Sequence, residues 1–329
     1  MENEKKYKVL VVDDDSTNLL VINKTLSPKG FEVEGLTSPK EALKRVPELQ
    51  PDVILLDVMM PEMNGFEVCR LLKSDKKTRL IPIVLITALQ EKEDKITGIE
   101  AGCDDFLSKP IDRLELIARV TALSKVKRLN DELVHAESIV MSFARAVEAK
   151  DGNTGDHCDR LARMVTSFAQ ELGLKQADIL TLARASILHD VGKIGVPDEI
   201  LLKPGKLSPE EWNVMKRHPV IGEEICKPLA IFADVLPVIR HHHEKWNGSG
   251  YPDGLKGEDI PHLARVFQII DAYDALTTKR PYKKPFSTEE TLELLENETK
   301  NGLWDPKLME SFISFLKKNR GEFSVVDED

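Results

Sequence analysis

No two cysteines in this chain are spaced to form a local pair. Cys69, Cys103, Cys158 and Cys226 lie far apart with no CxxC, so ordinary reduced thiols are expected rather than a disulfide framework. No run approaches the ~18 apolar residues of a membrane span. The opening MENEKKYKVL passes straight into a strand-like run, without the apolar stretch of a signal peptide. These absences predict a cytoplasmic protein with no membrane insertion. Positive charge is also short: 46 Lys and Arg against 56 Asp and Glu leave a net charge of −10. That argues against DNA as the main partner, and an anionic ligand then requires a metal or a few well-placed cations. Histidine is missing from the first 134 residues, and all eight fall after them. The two halves are therefore expected to do different chemistry.

What is present fits a soluble protein of two domains: 329 residues, 41% hydrophobic and 31% charged. In the first 125 residues, short apolar runs at 9–12, 31–35, 53–56, 81–86 and 105–107 alternate with helical patterns at 16–26, 39–46, 65–73 and 91–100. Five βα units with near-continuous apolar strands predict a five-stranded parallel, doubly wound α/β domain over 1–125. Its chemistry should collect at the carboxyl ends of the strands.

Residues 111–150 contain neither Gly nor Pro. Ala122, Val126, Leu129, Leu133, Ala136, Val140, Phe143 and Val147 recur there at alternating spacings of four and three. That is a heptad seam on one helix of about 60 Å at 1.5 Å per residue. The seam suits either packing on its own domain or, the favoured expectation, a parallel coiled-coil homodimer through a linker helix at 126–140. From 141 to 329 the pattern is all-helical, with periodicity at 157–172, 176–189, 208–217, 220–227, 232–243, 264–275 and 288–297. Two loops rich in Gly, Pro and charge, 191–207 and 244–262, are candidates for function.

At the predicted strand ends stand Asp13-Asp14-Asp15, Asp57, Thr87 and Lys109. Clustered carboxylates suit Mg²⁺, and a carboxylate beside it can attack a phosphoryl donor while a hydroxyl and an ammonium hold the new oxygens. Any one Asp at a strand end reads equally well as a turn or cap; the whole set at the right ends does not. With VLVVDDD, ILLDVMMPEMNGFE, VLITA and DDFLSKP, residues 6–125 resemble the receiver domains of response regulators. The resemblance implies Asp57 as phospho-acceptor, Asp13 and Asp14 with Asp57 as Mg²⁺ ligands, Thr87 and Lys109 as phosphoryl contacts, and a cognate histidine kinase. Phe106 takes the place of the aromatic whose orientation reports phosphorylation.

The second half carries His157, His189-Asp190, His218, His242-His243 and Asp271. A lone histidine on a helix is usually a core or surface residue. Five histidines and two aspartates are too many for one tetrahedral site and suit two metals, an arrangement that serves phosphoester hydrolysis. Adjacent pairs can serve different metals, because neighbours on a helix point about 100° apart. The run 241–243 also reads as an incidental polar stretch.

With TGDHCDRLA, ILHDVGKIGVPDEIL, KRHPVIG, HHHEKWNGSGYPDGLKGEDIP and ARVFQIIDAYDALTTKRPYKK, residues 138–320 resemble the HD-GYP subgroup of the HD phosphohydrolases. The resemblance implies an all-helical HD-type domain. His157, His189, Asp190 and Asp271 would form one metal site; His218, His242 and His243, with bridging Asp190, would form the other. Lys193, Arg280 and Lys283 would bind phosphate, with Asp190, Lys193 and Arg280 closest to the chemistry. Gly250, Tyr251 and Pro252 would shape a substrate loop. Asn153 stands where some members place a carboxylate for a third metal, which implies two, with Asp151 and Asp156 close by. The implied activity is hydrolysis of cyclic di-GMP to pGpG, and on to GMP, by a hydroxide activated by two divalent ions, iron or manganese. A diguanylate cyclase (GGDEF) protein is a further implied partner. Two other readings remain: a receiver-linked sensor that binds the dinucleotide without cleaving it, and a hydrolase of another cyclic dinucleotide.

Overall fold

The computed structural model describes residues 6–88, 92–150, 156–278, 285–319 and Phe323. The chain divides into two compact units, Met1–Ala136 and Glu137–Asp329.

In the first unit, β1 (Lys8–Val12), β2 (Glu32–Leu36), β3 (Val53–Asp57), β4 (Ile83–Thr87) and β5 (Asp105–Ser108) pair in parallel in the order β2-β1-β3-β4-β5. Every residue of β3 and β4 is buried, because central strands of a parallel sheet are covered on both faces. Alternate residues therefore enter two cores. Leu10, Ile54, Leu56 and Leu85 pack on one face; Val9, Val11, Leu55 and Ile86 pack on the other. The strand order reverses between β1 and β3, which opens a crevice at their carboxyl ends.

The helices are α1 (Ser16–Leu26), α2 (Pro39–Leu49), α3 (Gly65–Ser74), α4 (Lys92–Glu100) and α5 (Arg113–Lys150). Side-chain caps start three of them: Asp15 accepts from the Thr17 N–H, Ser38 from Glu41, and Asn64 forms a reciprocal capping box with Glu67. One expectation is corrected here. Helix α2 runs through Pro47 to Leu49 rather than stopping at Val46, and closes on Gln50 in the left-handed region with its N–H bonded to the Val46 carbonyl.

Helix α5 is continuous over 38 residues. Leu116 and Val120 lie in the first unit's core, and Ala144 lies in the second's. Between these anchors most of the seam is open, with Val126 62% exposed, Leu129 51%, Leu133 54% and Phe143 66%, while Val140 packs against the second unit's core.

The second unit is helical: α6 (Asp156–Glu171), α7 (Gln176–Leu188), α8 (Asp198–Leu201), α9 (Pro209–Met215), α10 (His218–Cys226), α11 (Leu236–His241), α12 (His262–Thr277), α13 (Thr288–Lys300) and α14 (Pro306–Lys318). Phe168, Phe232, Phe267, Tyr273 and Phe312 are fully buried at its centre. The sequence pattern joined 232–243 into one helix, but a 3-10 turn at Ala230–Phe232 is separate from α11. Pro237 explains the break, since a residue without an N–H fits the first turn of a new helix and not the interior of an old one. Among the described residues no helix is long and apolar enough to cross a membrane.

Candidate metal centres

At the crevice of the first unit, one oxygen from each of Asp13, Asp14 and Asp57 lies within 4.8 Å of the others. Asp13 and Asp57 are buried at the ends of β1 and β3, while Asp14 is exposed. The Asn18 amide donates to both oxygens of Asp13, at 3.0 and 2.9 Å. Lys109 Nζ sits 2.7 Å from Asp57 and 3.4 Å from Asp13, and Thr87 is buried at the end of β4. Burial pushes the Asp57 carboxyl above its ordinary range against the Lys109 bond, and the charges of Asp13 and Asp14 push the same way. An all-oxygen donor set under such repulsion fits a hard divalent cation. Gly65 is required in this place: a Cβ there would fall 2.3 Å from the Asp57 carbonyl oxygen.

In the second unit, His157, His189 and Asp271 form one donor group and Asp190, His218, His242 and His243 another. His189 caps the end of α7, and Asp190 opens the 3-10 turn Val191–Gly195. That turn crosses the start of α10 at backbone contact. The crossing sets His218 Nε2 3.2 Å from Asp190 Oδ1, with His242 Nε2 3.4 Å from His218 Nε2. The other oxygen, Asp190 Oδ2, lies 3.3 Å from His189 Nε2 and 2.8 Å from Lys193 Nζ. One carboxylate thus faces both groups.

The ring orientations are fixed from behind. His218 Nδ1 donates to the Met215 carbonyl and His242 Nδ1 to the Ile239 carbonyl, each at 2.8 Å. This leaves both Nε2 lone pairs aimed inward, as metal-ligating histidines require. Burial, with the neighbouring imidazoles, holds His242 and His243 well below the usual histidine range. His189 behaves oppositely: burial lowers it, but Asp190 and Asp271 outweigh burial and carry it to about 9. Asp190 is raised by burial, yet Lys193 and His189 hold it well below the usual carboxylate value.

Of the adjacent pairs, His189 and Asp190 fall in different donor groups, whereas His242 and His243 fall in the same one. His242 caps α11 and His243 follows in a turn, so the pair is not held 100° apart; the ring centroids are 4.0 Å apart and both enter the same group. His241 turns instead to Asp253, at 3.0 Å.

Three carboxylates escaped the sequence reading. Glu244 is fully buried and accepts the N–H groups of Asp253, Gly254 and Leu255 at 2.8, 3.1 and 3.0 Å, which clamps the loop carrying Tyr251. A Cβ at Gly250 would fall 2.3 Å from the Lys245 nitrogen, so only glycine fits. The Tyr251 ring lies 4.8 Å from the His243 ring at 33°, with Pro252 next in the loop. Asp274, one helical turn beyond Asp271, reaches His157; that i, i+3 spacing was the available signal. Glu148 carried none. Arg280, Lys283, Asp151 and Asn153 lie outside the described residues, as does the side chain of Asp156.

Imidazole and carboxylate donors in two groups joined by Asp190, with a buried Glu148 oxygen lacking any hydrogen-bond partner beside one of them, fit divalent transition metals.

Residues 9–121 match the family described as response regulator receiver domain, and residues 141–308, about half of the chain, match the HD domain. A protein named probable cyclic di-GMP phosphodiesterase from Vibrio cholerae serotype O1 is 34% identical, over 95% of this chain and 78% of its own. The cyclic di-GMP phosphodiesterase response regulator RpfG of Xanthomonas campestris pv. campestris is 35% identical, over 96% and 90%. A 3'3'-cGAMP-specific phosphodiesterase 2, also of Vibrio cholerae, is 41% identical over 74% of this chain and 48% of its own. Receiver fold, paired donor groups and full-length relatives agree: this chain belongs to the response regulators in which a receiver domain is joined to an HD-domain, metal-dependent phosphodiesterase.

Proposed function

We propose that this protein hydrolyses cyclic di-GMP to linear pGpG, with GMP as a further product, under the control of Asp57 phosphorylation. The observation that carries the reading is Asp190, which turns one oxygen to each of two buried donor groups. The names of the full-length relatives supply the substrate. Two divalent ions held there, iron or manganese, supply an activated water and offset charge at phosphorus. Lys193, fixed by Asp190 at the edge of the centre, meets a phosphoryl oxygen, and Arg280 and Lys283 complete the cationic side. Tyr251, clamped through Glu244, offers a face to a guanine. The parts are a receiver over 1–125 with Mg²⁺ at Asp13, Asp14 and Asp57, a linker at 126–140 and the hydrolase over 141–329. The exposed seam of α5 pairs two copies in the cytoplasm, where a histidine kinase phosphorylates Asp57 and a GGDEF protein is a candidate partner.

The test is direct. Protein loaded anaerobically with Fe²⁺ or Mn²⁺ should convert cyclic di-GMP to pGpG; tight binding without any product would favour the sensor reading. The 3'3'-cGAMP relative makes that dinucleotide the second substrate to assay, and faster turnover of it would displace cyclic di-GMP.

Replacing Asp57 by asparagine should abolish phosphate uptake from acetyl phosphate and leave basal hydrolysis within about twofold, a change under ~0.5 kcal/mol in barrier. Labelling of the variant to the wild-type level would disprove the receiver assignment.

Metal uptake should depend on pH at the His189 group. His189 keeps its proton up to pH about 9 in the metal-free protein, so an ion must displace it, and affinity there rises by about tenfold per pH unit up to that point. His242 and His243 are held well below the usual histidine range, so neither brings a proton that an ion must displace near neutral pH. Mn²⁺ titrations at pH 7, 8 and 9 check this; an affinity at the His189 group that does not change over that range would contradict it.

A further inference from the structure

A buried carboxylate stands beside the His157 group, outside every motif identified in the sequence. Glu148, on the last turn of α5, receives the Cys158 thiol hydrogen at Oε2. Its Oε1 is buried, has no hydrogen-bond partner and lies 3.7 Å from His157 Nε2.

The far side of the His157 ring decides what this arrangement means. Nδ1 lies 2.5 Å from Asp274 Oδ2. Asp274 in turn takes Arg160 Nε at 3.0 Å and Nη2 at 3.1 Å. A carboxylate that already takes two guanidinium N–H groups is an acceptor toward the ring as well. Nδ1 therefore carries a ring proton, and in the neutral ring Nε2 presents a lone pair. Two lone-pair atoms then face each other in a buried space, His157 Nε2 and Glu148 Oε1, with no donor between them. An unpaired buried carboxylate oxygen is costly. A cation removes the conflict. Two donors bound at about 2.1 Å to one divalent ion stand roughly 3–4 Å apart, and the observed separation falls in that range.

We propose that Glu148 is a further ligand of the ion held by His157, and that Asp274 is the positioning residue that aims His157 Nε2 at that ion. The inference rests on the two-metal reading and deepens it. The first ion gains a set of two imidazoles and the carboxylates Asp190, Asp271 and Glu148, against three imidazoles and the shared Asp190 at the second. Carboxylate-rich sets suit Mn²⁺, so the two positions differ in chemistry.

The experiment uses the full chain stripped of metal and titrated with Mn²⁺, with bound metal counted and the unfolding midpoint recorded before and after loading. Glu148→Gln keeps the shape and removes the charge, and its amide N–H can donate to His157 Nε2. One Mn²⁺ should weaken by about 10–100-fold while the other keeps its affinity, and the metal-free variant should unfold no earlier than metal-free wild type. If Glu148 is instead an ion-pair partner of a doubly protonated His157, the metal-free variant unfolds earlier and both Mn²⁺ affinities match wild type; that result overturns the proposal. Glu148→Asp, which keeps the charge one methylene short, should retain part of the affinity, and Asp274→Asn should weaken the same ion and not the other. A wild-type protein that takes up no Mn²⁺ would sink the centre itself, an outcome distinct from failure of Glu148 alone.

Discussion

Asp190→Ala is expected to empty both ion positions and reduce hydrolysis to below about 1% of wild type. Substitutions in the shell behind a metal already cost about 10–100-fold, and Asp190 faces both donor groups directly, Oδ1 toward His218 and Oδ2 toward His189. The variant also removes the carboxylate that Lys193 and His189 share. Breaking a buried pair costs about 3–5 kcal/mol when the remaining charge stays; His189 escapes part of that cost by releasing its proton. Metal content per chain and turnover are the measurements. Full metal content in the variant would refute the shared-carboxylate assignment.

Gly192→Ala should be nearly as damaging, although the added group is one methyl and Gly192 contributes no donor. A Cβ there would lie 1.9 Å from the His218 carbonyl oxygen and 2.4 Å from the Gly222 nitrogen. Both are backbone atoms, so no rotamer change relieves the clash, and the 3-10 turn must move off α10. Overpacking of this kind costs about 1–3 kcal/mol, or roughly 2–4 °C of unfolding midpoint per kcal/mol in a unit of this size. The displacement separates Asp190 from His218, so one ion should be lost with most of the activity. Gly195→Ala in the same turn is the control, since the nearest atoms to its Cβ would be those of the flexible Ile221 side chain, from 3.0 Å. Equal damage from the two substitutions would show that crowding in general, not this crossing, is responsible.

Much of the first unit was readable because its central strands are buried on both faces and so appear as VILLD and IVLIT, with their chemistry at the strand ends. The donor groups of the second unit were readable because histidine is scarce and five of its eight copies converge. Single carboxylates were not. In a chain with 56 acidic residues, Glu148, Glu244 and Asp274 look like solvated charges until packing buries them. Helix α14 was missed although Asp305 caps it, Pro306 opens it, and Leu308, Phe312 and Phe315 supply its buried stripe. Its signal lay in the cap and the spacing, and the pattern was not carried past residue 297.

By itself, the order of residues determined the two domain types, the strand-end aspartates and the identities of the seven donors, because burial periodicity and rare side chains are written into the chain. Tertiary structure alone decided which oxygen of Asp190 meets which group, that His241 turns away while His242 and His243 turn in, and that Glu148 stands unpaired beside His157. Those outcomes depend on how closely backbones separated along the chain approach, as at Gly192 and His218. Local periodicity carries no record of that distance.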